Sequence, residues 1–126
     1  VAQEENGGHL TQPLMDAVAD HLNLPHITAY EVATFYSMYH VKPVGRHVIS
    51  VCTNISCLLK GCDKIVEHLE HRLGIGLGET TADGKITLKE VECMAACGGA
   101  PMLEVQQEYH EYLTPERVDQ ILDGLE

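Results

Sequence analysis

The chain has 126 residues, a net charge of −11 and only eight lysines and arginines. Its length suits one domain with a small appendage and allows a buried core. The acidic balance argues against nucleic acid or anionic membranes as partners, because both attract clustered cations. No apolar run approaches the length of a bilayer span and no leader pattern is visible, so we expect neither membrane insertion nor export. A protein partner or a small ligand is therefore the expected kind of binding partner.

The N-terminal part of the chain is predicted to be helical. The segment TQPLMDAVADHL places apolar residues at helical spacing and offers Thr11 as an N-cap. The segment TAYEVATFYSMYH predicts a second helix, which opens with Thr28 and Glu31 at the spacing of a capping box. We expect this second helix to bury one apolar stripe, made of Val32, Phe35, Tyr36 and Tyr39.

Pro43 and Gly45 interrupt this helical pattern and predict a domain boundary. We expect an N-terminal helical segment at residues 1–44 and a second domain at residues 45–126. Charge is uneven near the boundary, since the stretch from Lys42 to Cys62 has three basic residues and no acid. The first cysteine pair therefore lies in the least negative part of the chain. The simplest explanation of this uneven charge is an ordinary solvated surface.

From His47 the pattern changes to that of an α/β domain. The segment HVISVC is a nearly continuous apolar run, typical of a strand buried on both faces. A helix is predicted from about Cys62 to Leu73, with Gly74 as its C-cap. The segment TPERVDQILDGL predicts a last helix, with Thr114 as its N-cap and Pro115 at its first position. Three further strands are predicted between these helices: ITLKEVEC, MLEV and EYHEYL. This order points to an α/β sandwich with a mixed sheet.

Five cysteines carry the strongest chemical signal in the sequence. Cys52 and Cys57 lie in VCTNISCLLKGC, and Cys93 and Cys97 lie in ECMAACGGAP. Each pair follows a predicted strand, so we expect the two loops to converge at one end of the sheet and to offer four thiolates there. The fifth cysteine, Cys62, lies on the apolar face of a predicted helix, which indicates a small buried side chain rather than a spare ligand.

The spacing of the four cysteines favours some sites over others. Structural zinc usually takes tighter C-x2-C turns, and a [4Fe-4S] cluster usually takes a C-x2-C-x2-C run, which the chain lacks. Lasting disulfides are rare inside cells, where we expect a chain without an export signal. A [2Fe-2S] cluster takes two thiolates for each iron, and two loops with one pair each would supply them. We favour this cluster, with zinc, redox-active thiols or merely buried cysteines as the alternatives.

The residues after the second cysteine pair suggest a tight loop around a metal centre. Gly98 and Gly99 are expected to adopt positive φ, which would let backbone N–H groups point at the sulfurs. Pro101 cannot donate a hydrogen bond and therefore suits the exit of the loop, before the next strand begins.

Three segments carry a family resemblance: EVATFYSMYHVKPVGRHVISVCTNISCLLKG, GETTADGKITLKEVECMAACGGAPMLEV and YHEYLTPERVDQILDGL. Together they resemble the small [2Fe-2S] subunit of the NADH-oxidising module of respiratory complex I. The resemblance covers nearly the whole chain from about Thr11. The family's cysteine pairs fall on Cys52 and Cys57 and on Cys93 and Cys97, so all its ligand positions are present.

This resemblance implies a thioredoxin-like domain behind a small N-terminal helical bundle, with one [2Fe-2S] cluster held by the four cysteines. It also implies docking on a flavoprotein subunit that binds FMN and NADH, with single electrons exchanged between flavin and cluster. The implied role is that of a non-catalytic electron-transfer subunit of an NADH:quinone oxidoreductase, without a substrate site of its own.

Other host complexes and roles stay open at this point. Relatives of the subunit occur in NAD-linked hydrogenases and formate dehydrogenases, and a zinc-stapled scaffolding module is a further alternative. The implied location is the peripheral arm of a membrane complex, on the cytoplasmic side or in the mitochondrial matrix. The sequence leaves open whether the isolated chain forms homodimers.

Overall fold

The computed structural model describes residues 1–125 and divides the chain into two units, Val1–Arg46 and the residues from His47 on. The first unit contains three helices: α1 (Ala2–Glu5), α2 (Gln12–His21) and α3 (His26–Phe35). Its buried cluster is small and is formed by Leu10, Met15 and Ala33. Thr11 stands at the N-cap of α2 as predicted, although its side chain accepts no capping hydrogen bond.

The predicted bounds and start signal of α3 are wrong. The helix begins at His26, directly after Pro25, so Thr28 lies inside the first turn and no capping box forms. It ends at Phe35 because Tyr36 turns to an extended conformation, with φ −86° and ψ 130°. Proline is well suited to this start, since it lacks the N–H that a helix N-terminus leaves without a partner.

The apolar stripe predicted to be buried in α3 lies largely on the surface. The exposed fractions are 42% for Val32, 81% for Phe35, 50% for Tyr36 and 39% for Tyr39. Ala33 is the residue of α3 that enters the buried cluster, and Ala29 packs against that cluster one turn earlier. The last two residues of the stripe lie beyond the end of the helix, where helical spacing no longer decides which way a side chain points.

The second unit is a four-stranded mixed sheet with helices. Its elements are β1 (His47–Cys52), α4 (Ile55–Leu59), α5 (Cys62–Leu73), β2 (Ile86–Val91), β3 (Leu103–Val105), β4 (Glu108–His110) and α6 (Pro115–Gly124). The strand order is β2-β1-β3-β4, in which β1 and β2 are parallel and the other two pairs are antiparallel. The predicted α/β class with a mixed sheet is confirmed.

The main core lies between the sheet and the pair α5 and α6. Ile49, Leu69 and Val118 bring together β1, α5 and α6, and each is 0% exposed. Outside the core, the His68 Nε2 atom lies 2.9 Å from Asp119 Oδ1, which links the two helices at their polar edge. Within residues 1–125, no helix is both long and apolar enough to cross a bilayer.

Local signals predicted several element bounds in this unit correctly. The helix α5 has the predicted bounds and ends in Gly74 with φ 68°, a left-handed C-cap. Thr114 caps α6 by accepting a hydrogen bond from the Arg117 N–H at 3.3 Å. The strand β2 ends at Val91, earlier than predicted, because its neighbour β1 ends opposite it at Cys52 and offers no further pairing.

Candidate metal centre

The two cysteine loops leave the sheet at the same edge, as predicted. Cys52 is the last residue of β1 and is paired in register with Val91, the last residue of β2. Because β1 and β2 are parallel neighbours, the chain leaves both strands in the same direction. Cys93 follows only two residues after β2, so the second pair begins beside the first.

The first cysteine pair is buried. Cys52 is 4% exposed, and Cys57, on the inner side of α4, is 1% exposed. Burial raises the pKa of the Cys57 thiol to about 11, and the neighbouring Cys52 thiol adds to the rise. A backbone hydrogen bond from Met102 acts in the opposite direction and favours the thiolate of Cys57. These two sulfurs therefore form a preassembled pair within a cluster that excludes water.

The second cysteine pair is exposed, unlike the first. The Ala95 N–H donates a hydrogen bond to Cys93 Sγ at 3.4 Å, so a backbone donor points at this sulfur. Among residues 1–125, no three His, Cys, Asp or Glu side chains are grouped closely enough to hold a single metal ion. The structure thus brings Cys52 and Cys57 into contact and presents Cys93 and Cys97 from the neighbouring loop, without gathering all four sulfurs around one point.

The role predicted for the two glycines is wrong. Neither Gly98 nor Gly99 has a positive φ; in this loop Ala95 does, at φ 55°. Cys97 to Gly99 form a single 3-10 turn instead. Gly99 is required for space, since a Cβ atom there would stand 2.6 Å from Glu111 Cβ, whereas Gly98 has open space around it.

Cys62 is buried at the start of α5, with 1% of its surface exposed. It belongs to the same apolar cluster as Cys52 and Cys57. Burial raises the pKa of its thiol, with smaller contributions from Asp63 and Cys52. The prediction that Cys62 is a small buried side chain is confirmed.

Two methionines of the site were not singled out from the sequence. Met94 and Met102 are 7% and 0% exposed and complete the apolar cluster around the buried thiols. The backbone of Met94 is held by the exposed Tyr109, whose hydroxyl donates a hydrogen bond to the Met94 carbonyl oxygen at 3.0 Å. The only signal in the sequence was the position of Met94 directly after Cys93.

The donor set suits a [2Fe-2S] cluster on chemical grounds. Thiolates are its usual ligands, supplied as one pair for each iron, and this chain offers one pair from each of two adjoining loops. N–H groups directed at sulfur are a usual second layer of such sites, and the Ala95 donor and the backbone bond from Met102 provide them. The residues present therefore fit the group.

Comparisons with known proteins agree with this geometry. A family model described as thioredoxin-like [2Fe-2S] ferredoxin matches residues 1–126. One subunit of the NADH-quinone oxidoreductase of Rickettsia felis is 47% identical over 123 residues, which cover 98% of this chain and 74% of that protein.

Two solved structures resemble the fold. An NAD+-reducing [NiFe]-hydrogenase in its H2-reduced state matches 98% of this chain with a TM-score of 0.83 and 19% identity. The matched region is 21% of that hydrogenase chain, so this chain spans about a fifth of its length. A thioredoxin-like [2Fe-2S] ferredoxin from Aquifex aeolicus matches 61% of this chain and 76% of its own, with a TM-score of 0.50 and 18% identity. The predicted thioredoxin-like fold is confirmed.

Proposed function

Since the chain belongs to the thioredoxin-like [2Fe-2S] ferredoxin family, we propose that it is the electron-transfer subunit of an NADH-quinone oxidoreductase. In this proposal Cys52, Cys57, Cys93 and Cys97 hold one [2Fe-2S] cluster. The chain exchanges single electrons with the FMN of a partner flavoprotein subunit, which binds NADH, and it has no substrate site of its own.

The observation that carries the proposal is the parallel pairing of β1 with β2. It puts two loops, each with a cysteine pair, at one edge of the sheet. The similarity to the Rickettsia felis protein along nearly the whole chain supports the choice of host complex. The likeness to the hydrogenase chain concerns the fold alone, since the two sequences are only 19% identical.

The residues of the chain have separate tasks in this mechanism. A bound [2Fe-2S] cluster supplies a centre that takes up and releases one electron at a time. Cys52 and Cys57 anchor it on the buried side, where the surrounding methionines keep water away. The Ala95 N–H stabilises negative charge on Cys93 Sγ, and such donors favour the reduced, more negative state.

The proposal also assigns roles to the two parts of the chain. Residues 45–126 bind the cluster, and residues 1–44 form a separate helical segment. The division of the structure near residue 46 supports this arrangement. The proposed location is the peripheral arm of the membrane complex, on the cytoplasmic side or in the mitochondrial matrix.

Metal analysis of anaerobically purified chain tests the cluster directly. We expect about two irons and two sulfides per chain, with visible absorption that dithionite bleaches. Cys57→Ser should lose most of the iron, whereas Cys62→Ser should keep it. The two variants are matched, because both thiols are 1% exposed and both changes bury a hydroxyl. Zinc in place of iron, or equal iron loss in both variants, would contradict the ligand assignment.

The host complex is tested by copurification. The chain should purify with a flavoprotein that reduces dyes with NADH, and NADH should bleach the cluster in that complex. Copurification with hydrogenase or formate dehydrogenase activity would instead assign the chain to one of those complexes.

A further inference from the structure

We propose that the outer side of α4 is the surface on which the flavoprotein subunit docks. This surface, which we call the α4 face, consists of Ile55, Leu58, Leu59 and Lys60. The proposal rests on the electron-transfer function proposed above and adds to it the side of the molecule from which electrons enter.

The α4 face stands out by its exposed apolar side chains. Ile55 is 62% exposed, Leu58 49% and Leu59 80%. In the second unit, as far as residue 125, all exposed large aliphatic side chains lie on this one short helix; the remaining exposed large apolar residues there are Tyr109 and Tyr112. Clustered apolar surface of this kind is a common mark of a protein interface.

The α4 face lies next to the proposed cluster site, because α4 also carries Cys57. Cys57 lies on the same five-residue helix and points inward, with 1% of its surface exposed. Leu58 is its covalent neighbour and points outward. An α-helix rises about 1.5 Å per residue, so the five steps from Ile55 to Lys60 extend only about 7.5 Å along the axis. A partner bound to the α4 face would therefore come close to Cys57, a proposed ligand of the cluster. It would also exclude water from the space between the partner and this ligand.

Charge distinguishes the α4 face from the surface of the second cysteine loop. Lys60 is exposed at the end of α4, within the stretch from Lys42 to Cys62 that has no acid. On the side of the second cysteine loop, Glu92 and Glu111 are exposed carboxylates, whose removal from water without a partner is costly. In a chain with a net charge of −11, the α4 face thus fits a partner surface that is apolar and carries a carboxylate opposite Lys60.

Binding measurements between the 126-residue chain and the flavoprotein subunit test the proposal. Leu59→Lys and Lys60→Glu should each raise the Kd by about tenfold or more, because they remove apolar burial and invert the charge, respectively. Lys64→Glu is the matched control for charge, since it makes the same change at an exposed residue of α5 and should leave the Kd unchanged. Phe35→Lys, in the exposed apolar stripe of α3, tests the first unit as the docking site instead.

The outcomes separate this proposal from the proposed function. Unchanged binding of Leu59→Lys and Lys60→Glu, or equal losses in Lys60→Glu and Lys64→Glu, overturns the α4 face. Loss of binding in Phe35→Lys with none in Leu59→Lys also overturns it and places docking on the first unit. Iron content is measured separately on every variant, so an iron-free wild-type chain would contradict the proposed function while the pattern of Kd values still decides the docking surface.

Discussion

Replacing Gly99 by alanine is expected to destabilise the second unit by steric overlap. The added Cβ would stand 2.6 Å from Glu111 Cβ, and it would also overlap the Glu111 carboxyl group. Glu111 cannot simply move away, because the next residue is fixed to the same loop: the Tyr112 N–H donates to the Gly99 carbonyl oxygen at 2.7 Å. Gly99 does not have a positive φ, so the whole cost comes from the overlap and none from backbone strain.

The loss of unfolding free energy at Gly99 can be estimated and compared with the same change at Gly98. Overpacking of a closely packed site costs about 1–3 kcal/mol. At Gly98 an added Cβ meets nothing within 4 Å and φ is again not positive. Gly98→Ala should therefore be neutral or stabilise the fold by about 0.4–1 kcal/mol, because alanine restricts the unfolded chain. The two adjacent variants should differ by about 2 kcal/mol in free energy of unfolding.

Urea unfolding followed by circular dichroism measures the difference. With a slope of about 1–3 kcal/mol per molar urea, the midpoints of the two variants should lie about 1 M apart. The double variant Gly99→Ala with Glu111→Gly removes the opposing Cβ and should recover most of the loss. If Gly99→Ala is as stable as Gly98→Ala, or if the double variant recovers nothing, the steric explanation is wrong.

Three further predictions concern thiol access, the core and the helix pair. Iodoacetamide should modify exposed Cys93 and Cys97 of the metal-free protein at least about tenfold faster than buried Cys57, whose pKa of about 11 keeps the thiol protonated. Leu69→Ala should lower the unfolding free energy by about 2–5 kcal/mol in urea titrations, because this fully buried side chain leaves a cavity. Asp119→Asn should lower the thermal midpoint at pH 7, and the difference from wild type should vanish in acid.

The pH dependence expected for Asp119→Asn follows from the residues around the Asp119 carboxylate. The hydrogen bond from His68 lowers the pKa of Asp119 in the folded protein, and Arg72 adds to the effect. A lowered pKa stabilises the fold above the ordinary pKa of aspartate, and this contribution is lost as the pH falls through the folded value. A difference that persists unchanged at low pH would show that Asp119 acts through packing instead. For the other two, uniform alkylation of all cysteines or a Leu69→Ala variant of wild-type stability would be the contrary result.

Much of the second unit was predictable because its signals are local. The β-branched run of β1, the left-handed cap at Gly74 and the capping hydroxyl of Thr114 act over a few residues, and the tertiary structure of this unit retains all three. The first unit was predicted less well, since the exposed side of α3 carries the aromatic residues while its buried side carries alanines. Residue type alone could not reveal that the alanines of this helix are buried and its larger apolar residues exposed.

By itself, the sequence determined the α/β class, the approximate place of the strands and helices of the second unit, and the presence of two cysteine pairs after strands. Periodicity, caps and spacing are properties of neighbouring residues, so they can be read without knowing the fold. Only the tertiary structure decided that β1 and β2 are parallel neighbours, that the first cysteine pair is buried while the second is exposed, and that Gly99 rather than Gly98 lacks room for a side chain. Each of these depends on contacts between residues far apart in the chain, which local preferences do not specify.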